Sequence, residues 1–584
     1  MKDKLRRFFN RPSTELIILL GFLLLQILLV AAFLQVTHTL PYEDGVVHLI
    51  KSITTYKDLT AGEIPYFLGR DRFYPPLLYQ TAAVVYLVLP PNLLSGVLSQ
   101  IPYWLILIFG LFGIGKLLFS PLTGYLAIFY YLTAPLVLWY SCQFRPDLPS
   151  AALGILTVYC LLKSDNFKDR RFSLWFGLAL GLGMLLRWWV GYQLLGIVLF
   201  YWITLSFNYF KTPWLKISSF LLPGGMIWLF IKIAYWYPHP KVPGDLLFSW
   251  GFWALNLLEG WIFWLVMKGL TEIADRKKQV ETTGRKPWLN FILALAVVYW
   301  LNGWIYFHPE FALMNGMLFE FGIGRSTLEW PFFGFYWTLL QHQSLYWGYL
   351  GMLLAGVLLF LFKFKERPQG KIYLMVFITA ILSLFFLPSK KDRYLLLWLA
   401  LAAPLAVFWF NSLGKAKIIP ILGLVLLGFF YALTGWLISP QSYSKNPLLA
   451  FFNPPGGQLA QRKIEPEINL KNLEKFLAIL PKKREKILVS RLCFDTEKNI
   501  PYYNFVLFSH LGKANVIISP QKQLSDYQYL VYAHPREEDY GDLTRLLSSD
   551  DYYSHIRGLK FRVISRCNLP KLNFEYRLVK IEQE

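Results

Sequence analysis

The chain has 584 residues, of which 55% are hydrophobic, 18% aromatic and only 16% charged. So little charge excludes an ordinary soluble globular protein and places the chain among polytopic membrane proteins. The formal net charge is +22, but the basic residues lie mostly in short connections between apolar runs, where membrane sorting accounts for them, so nucleic-acid binding is not implied.

The N-terminal Lys2, Lys4, Arg6, Arg7 and Arg11 precede an apolar run from Leu16 to Val36, long enough to cross a bilayer. No small-residue cleavage pattern follows it, so it is expected to stay as an anchor with the N-terminus in the cytoplasm. The first outer loop, 37–90, holds Glu43-Asp44 at its start and Arg70-Asp71-Arg72 with Tyr74-Pro75-Pro76 near its end. Within it, Val46–Leu59 has apolar residues at Val46, Val47, Leu49, Ile50 and Ile53 and reads as an amphipathic helix lying on the membrane. Leu77–Leu89 is apolar but short, and is expected to be interfacial or re-entrant.

The remaining apolar runs are Leu93–Leu118, Leu122–Tyr140, Leu148–Leu162, Leu174–Trp189, Tyr192–Phe207, Ile217–Tyr235, Leu246–Val266, Leu289–Phe307, Tyr346–Phe362, Ile372–Leu387, Tyr394–Phe410 and Ile418–Ile438. With the first run they make about 13 expected transmembrane helices. In this register the longer cytoplasmic loops hold Lys163 to Arg171, Lys211 to Lys216, Lys268 to Lys286, Lys363 to Lys371 and Lys415 to Lys417, all of them basic. An odd number of spans leaves the C-terminus outside.

The expected fold is therefore an all-α polytopic membrane domain, 1–439, followed by a small extracytoplasmic α/β domain, 440–584. In the latter, β-like runs occur at Ile487–Arg491, Val516–Ser519, Tyr529–Tyr532 and Phe561–Ser565, with helix-like Leu470–Leu480 among them. Cys493 and Cys567 lie there and are compatible with a disulfide or with two buried thiols. The four cysteines show no metal-ligand spacing.

Chemistry is best sought among charges that membrane sorting does not explain. On the outer face these are Arg70, Arg72, Arg145, Arg187, Arg325 and the Lys390-Lys391-Asp392-Arg393 group, with the acids Glu43, Asp44, Asp71, Asp147, Glu310 and Glu329. Ionisable groups at helix ends facing a membrane cavity are costly unless paired or used. Asp44 and Asp147 suit a general base and a second acid that orients the acceptor or binds a divalent ion; for Asp147, capping of the following helix is an alternative. Arginine and lysine at this level suit a phosphate. Arg187 also fits an interfacial anchor beside Trp188-Trp189, and the Lys390–Arg393 turn fits internal ion pairing. His308 with Glu310 is a weak metal signal. An outer cavity with carboxylates on one side and cations on the other suits a lipid-linked phosphosugar, whose leaving phosphate the cations would stabilise.

The order of these motifs resembles the GT-C glycosyltransferases, in particular the bacterial aminoarabinose transferases of lipid A and the protein O-mannosyltransferases. The resemblance spans about residues 14–440. It rests on Tyr42-Glu43-Asp44-Gly45, on Arg70 to Pro76, on Asp147 after Arg145-Pro146, on Arg187 after Gly181-Leu182-Gly183, and on Lys390 to Tyr394 with Pro404. It implies inverting transfer of a sugar from a polyprenyl-phosphate donor to a lipid, glycan or protein acceptor in a bacterial inner membrane. Asp44 or Glu43 would be the base, with Asp44 preferred, and Asp147 the second acid. Arg70, Arg72, Arg187, Lys390, Lys391 and Arg393 would hold the donor phosphate. Arg145, Tyr74, Arg325, Glu329 and Tyr394 would bind substrate, and metal dependence is left open. Two departures stand out: the first acids are Glu-Asp where the family commonly has Asp-Glu, and Glu329-Trp330-Pro331 stands where it commonly has a histidine. A lipid-linked sugar flippase is the alternative, and would place ionisable groups within spans near the midplane.

Overall fold

The computed structural model describes residues 12–37, 44–64, 74–209, 285–306, 340, 345–363, 368–385 and 392–437, together with strands at 487–489, 515–516, 529–535, 559–569 and 574–583. In chain order its helices begin with α1 (Pro12–Thr37), α2 (Asp44–Thr60), α3 (Leu77–Val85), α4 (Leu93–Leu98) and α5 (Ile101–Leu118). There follow α6 (Pro121–Leu132), α7 (Pro135–Ser141), α8 (Asp147–Lys163), α9 (Arg170–Leu186) and α10 (Trp189–Tyr209). The last are α11 (Arg285–Tyr306), α12 (Tyr346–Lys363), α13 (Pro368–Phe385), α14 (Leu395–Val407) and α15 (Ile418–Leu437), with 3₁₀ turns at Asp392–Tyr394 and Phe408–Lys417.

Two helices form the centre. Every residue of α14, LLLWLALAAPLAV, is buried, as are nearly all of α8. A helix that is apolar all round has no water-facing side to choose, so it sits inside the bundle. Gly154 of α8 meets Leu397 of α14, and α5, α6, α9, α10, α12 and α13 pack around the pair. Buried hydroxyls and amides supply cross-links: Tyr130 donates to the Tyr349 carbonyl at 2.9 Å, Tyr131 to that of Leu396 at 3.0 Å, and Gln193 to that of Tyr394 at 2.6 Å. Such bonds hold membrane helices together where lipid and protein are equally apolar.

The outer helices show the opposite pattern. Leu16, Ile17, Leu20, Leu24 and Leu28 of α1 are exposed, as are Ile418, Ile419, Leu422, Leu426 and Phe429 of α15. Apolar rows of this size on a helix surface belong against hydrocarbon. Among the described residues, three helical segments are long and apolar enough to span a membrane, and a fourth is obtained if α6 and α7, bent by 70°, count as one. The chain is a multi-pass membrane protein.

The breaks within the expected spans have local causes. Pro135 forces Ala134 into an extended conformation (ψ 132°), so the run Leu122–Tyr140 bends instead of continuing. The run Leu174–Trp189 stops at Arg187, which is extended (φ −160°, ψ 128°), and α10 starts at Trp189. Between α8 and α9, Asp165, Asn166 and Phe167 all adopt left-handed conformations, a costly run for residues with side chains. It is held by Asn290, which donates to the Phe167 carbonyl at 2.8 Å, by Tyr201, which donates to Asn166 at 2.6 Å, and by complete burial of the Phe167 ring.

In the first loop, α3 has nine residues, about 13 Å at the helical rise, too short to span. The expected amphipathic helix is present as α2, but its buried side faces protein and is partly polar. Leu49 and Ile53 are buried together with His48 and Ser52. His48 Nδ1 lies 2.7 Å from the Tyr79 hydroxyl and Ser52 Oγ 3.0 Å from that of Tyr86. Burial pushes the Tyr86 phenol up to about 12, against the Ser52 hydrogen bond, so it stays protonated at neutral pH.

The strands β1 (Ile487–Val489), β2 (Asn515–Val516), β3 (Tyr529–Pro535), β4 (Leu559–Leu569) and β5 (Phe574–Gln583) form one mixed sheet in the order β2-β1-β3-β5-β4. β1 is parallel to β2 and β3, while β5 is antiparallel to β3 and β4, with an irregularity between Val563 and Ser565. β5 was absent from the sequence reading; β1 to β4 overlap the four expected runs, β2 by Val516 alone. The expected helices of this region, the full count of spans, the boundary near 440 and Cys493 lie outside the described residues.

Helix α12 offers an internal stability test. A β-carbon added at Gly356 would overlap the Leu405 carbonyl of α14, whereas one at Gly351 meets nothing within 4 Å. Gly356→Ala is expected to destabilise the protein by about 1–3 kcal/mol, and Gly351→Ala to be neutral or to stabilise by up to about 1 kcal/mol. Thermal unfolding of the two variants in detergent checks the difference.

Candidate active site

Three helix ends meet at one end of the bundle. Asp147 is the first residue of α8, Arg187 follows the last residue of α9, and Arg393 lies in the 3₁₀ turn that leads into α14. Two of the charges suit their helices: the acid at the N-terminus of α8 and the cation at the C-terminus of α9 are both favoured by the peptide dipoles, whereas Arg393 stands at the N-terminal end of α14. Asp147 is wholly buried and makes no cap bond, the N-cap position being Pro146. The capping alternative is thereby set aside.

Asp147 Oδ1 stands 3.6 Å from Arg187 Nε and 3.9 Å from Arg393 Nε. These are ion-pair distances, too long for hydrogen bonds. Both Asp147 oxygens and Arg187 Nη1 are buried and without a hydrogen-bond partner among the described residues. A second polar link lies alongside. The Tyr140 hydroxyl donates to Asp392 Oδ1 at 2.8 Å, and the same oxygen accepts the Arg393 backbone N–H at 2.8 Å. The Arg145 guanidinium lies 5.9 Å from the Tyr140 ring centre, and the Arg145 side chain is only 6% exposed.

The first loop closes on this cluster through Tyr74. Its ring centre is 5.5 Å from the Arg187 guanidinium, 4.4 Å from Lys51 Nζ and 4.9 Å from the His48 ring, which meets it edge-on. Tyr394 is buried, with its ring 6.1 Å from that of Trp189. Among the described residues, the cations Lys51, Arg145, Arg187 and Arg393 outnumber the carboxylates Asp147 and Asp392 around this cluster.

The sequence-derived candidates Tyr74, Arg145, Asp147, Arg187, Arg393 and Tyr394 are thus brought to one end of the bundle. Asp44 is the first residue of α2. Glu43, Arg70, Arg72, Arg325, Glu329, Lys390 and Lys391, like His308 and Glu310, lie outside the described residues. Lys51, His48 and Tyr140 had not been singled out. The spacing Asp44, His48, Lys51, one helical stripe, was the available signal for the first two. No group of three or more potential metal ligands occurs among the described residues. A cavity of about 330 Å³ lined by Leu117, Phe119, Asp165, Phe360 and Pro368 lies at the opposite end of α8 and is not part of this cluster.

With this geometry in hand, comparison with known proteins is informative for one stretch. Residues 74–236 match the family described as dolichyl-phosphate-mannose-protein mannosyltransferase. The match includes Tyr74, Arg145, Asp147 and Arg187, and it agrees with the resemblance of the chain to GT-C membrane glycosyltransferases. The chain also overlaps the archaeal oligosaccharyltransferase AglB from Archaeoglobus fulgidus in complex with an inhibitory peptide and a dolichol-phosphate, at 12% identity over 96% of this chain and 74% of that one, TM-score 0.43. It overlaps ArnT from Cupriavidus metallidurans bound to undecaprenyl phosphate at 12% identity over 97% and 98%, TM-score 0.38. Overlaps this loose carry no argument about the site. A search of curated proteins finds no match.

Two substitutions separate the roles of these contacts. Asp147→Leu leaves two buried arginines without their shared carboxylate and is expected to cost about 3–5 kcal/mol. Tyr140→Phe removes one hydrogen bond while keeping the ring, and is expected to cost about 1–3 kcal/mol. Chemical or thermal unfolding of the purified variants measures both.

Proposed function

We propose that this chain is an inverting glycosyltransferase. It moves a sugar from a polyprenyl-phosphate donor to a lipid, polysaccharide or protein acceptor at the outer face of a bacterial inner membrane. The observation that carries this reading is the buried cationic cluster around Arg187, whose Nη1 has no hydrogen-bond partner among the described residues. The family match over residues 74–236 supports it independently. The charges sit at helix ends rather than in mid-span, which favours a transferase over a flippase.

In this reading an acceptor hydroxyl or amine attacks the anomeric carbon from the face opposite the phosphate. Its proton passes to Asp44, or to Glu43 beside it. The bond from carbon to phosphate oxygen breaks, and its electron pair leaves with polyprenyl phosphate. Arg187 and Arg393, with Arg70, Arg72, Lys390 and Lys391 from the neighbouring loops, balance the charge that builds on that phosphate. Asp147 orients Arg187 and Arg393. A divalent ion does not fit at Asp147, because two guanidinium groups already lie within 4 Å of its oxygen. Arg145, Tyr74, Tyr394, Arg325 and Glu329 line the substrate side.

The sidedness follows from α8. Its other end enters the basic loop Lys163 to Arg171, about 25 Å from Asp147 at the helical rise. Basic loops favour the cytoplasm, so the cluster faces outward. The N-terminus is then cytoplasmic and residues 440–584 form an extracytoplasmic domain.

Purified protein given a panel of labelled polyprenyl-phosphate sugars is expected to release polyprenyl phosphate and form a product of inverted anomeric configuration. Asp44→Asn is expected to abolish turnover, and Arg187→Gln to lower it by about 10²-fold or more. No release from any donor would overturn the transferase assignment; full activity of Asp44→Asn would move the base elsewhere.

A further inference from the structure

The 3₁₀ turn Asp392–Tyr394 is gripped at both ends by side chains from elsewhere in the bundle. At its first residue, Asp392 Oδ1 accepts the Tyr140 hydroxyl at 2.8 Å. At its last, the Tyr394 carbonyl accepts Gln193 Nε2 at 2.6 Å. Arg393 lies between the two grips, and its backbone N–H donates to the same Asp392 oxygen at 2.8 Å. Both gripping residues belong to segments that follow a break. Tyr140 is on α7, turned by 70° from α6 at Pro135, and Gln193 is on α10, which starts anew after the extended Arg187. The two breaks thus bring one polar side chain each to a single turn.

Packing alone calls for neither group. Gln193 is wholly buried in a largely apolar helix, and its Oε1 has no hydrogen-bond partner among the described residues. A half-satisfied amide in such surroundings costs more than a leucine of similar size would. The Tyr140 ring is buried as well, and phenylalanine would fill the same space without a hydroxyl to place. What both residues supply is a fixed backbone on either side of one guanidinium. Gln193 also follows Arg187 closely in the chain, so its bond to Tyr394 ties the two arginines to each other. Their Nε atoms stand 3.6 and 3.9 Å from the same Asp147 oxygen.

We propose that Tyr140 and Gln193 are positioning residues for the transfer step, holding the Asp392–Tyr394 turn so that Arg393 faces the same anion as Arg187. This assignment rests on the glycosyltransferase reading, in which Arg393 balances charge on the departing polyprenyl phosphate, and deepens it. Neither residue touches substrate; both act through Arg393. A guanidinium donates along fixed directions, so a small displacement of its backbone spoils its contact with a phosphate. The donor is a phosphodiester with one negative charge, and the departing monoester carries more. The loss therefore falls mainly on the transition state, and on kcat rather than on the donor KM.

The test uses the full chain in detergent and a donor that the wild-type protein turns over. Tyr140→Phe and Gln193→Leu are each expected to lower kcat about tenfold or more, with the donor KM changed by less than about threefold. Tyr373→Phe is the control, because it removes a hydroxyl bond to the Leu401 carbonyl deeper in α14; it is expected to keep the wild-type kcat. In an Arg393→Gln background, adding Tyr140→Phe or Gln193→Leu should lower kcat by less than about twofold further, since the group they position is gone. Where Gln193→Leu fails to fold, Tyr140→Phe, which keeps the ring, decides the outcome. Wild-type kcat in the single variants overturns the assignment. So does an undiminished penalty in the Arg393→Gln background, or an equal loss in Tyr373→Phe. A wild-type protein that turns over no donor sinks the glycosyltransferase reading and this assignment with it, whereas an active wild type with unimpaired variants sinks the assignment alone.

Discussion

The arrangement of the described bundle at its site end depends on one carboxylate. Asp147 joins α8 to the α9–α10 break through Arg187 and to the entry of α14 through Arg393. Helices α9 and α14 are otherwise largely apolar, and no apolar contact would dictate where a break in a helix must fall. A buried acid does dictate it, because a guanidinium left alone in that environment costs several kcal/mol. The extended Arg187 between two helices is the consequence. An unbroken helix from α9 into α10 would carry its cation on a fixed helical face. The break instead lets the side chain turn toward Asp147 while the peptide dipoles of α8 and α9 favour both charges. Tyr140 and Asp392 repeat the device on the other side of Arg393.

The ion pairs are nevertheless loose. Distances of 3.6 and 3.9 Å leave the Asp147 oxygens without hydrogen bonds. A purely structural bridge in a low-dielectric interior gains most when it is tight and bidentate. A bridge that must leave guanidinium donors available for a second anion gains from being slack. Under the proposed function, the slackness at Asp147 and the position of the cluster at the helix ends fit the same anionic occupant.

Much of the helical scaffold was legible because hydropathy and span length are set by the bilayer. The run at Leu16–Val36 reappears as α1, and Tyr346–Phe362 as α12, within a few residues. The short Leu77–Leu89 segment was recognisable by its length and by the later basic loops, which would lie outside if it spanned. The breaks were harder to read. Pro135 was a visible signal for the 70° bend, but the break at Arg187 has no local breaker; it exists because of a partner forty residues earlier in the chain. Within the site, the arginines and Asp147 were legible as charges that topology did not explain. His48, Lys51 and Tyr140 were not, for two reasons. The α2 stripe was read by its apolar positions, so its polar face went unremarked. Tyr140 sits at the end of an apolar run, where tyrosine is unexceptional at a membrane interface, and only the fold brings Asp392 to its hydroxyl. β5 was missed because its charged alternation resembles an exposed tail until β3 and β4 flank it.

The scaffold and the loop divide the labour in a way that constrains how the chain can evolve specificity. Arg187, Asp147 and Arg393 are fixed to three packed helices, so the cluster they form moves only if the core moves. Asp44, His48 and Lys51 belong to α2, which is held by the polar pairs His48 with Tyr79 and Ser52 with Tyr86 and by the buried Leu49 and Ile53. Under the proposed function, a change in acceptor or sugar would fall to α2 and α3 rather than to the bundle. Under the proposed function, the recognition of phosphate stays with the bundle.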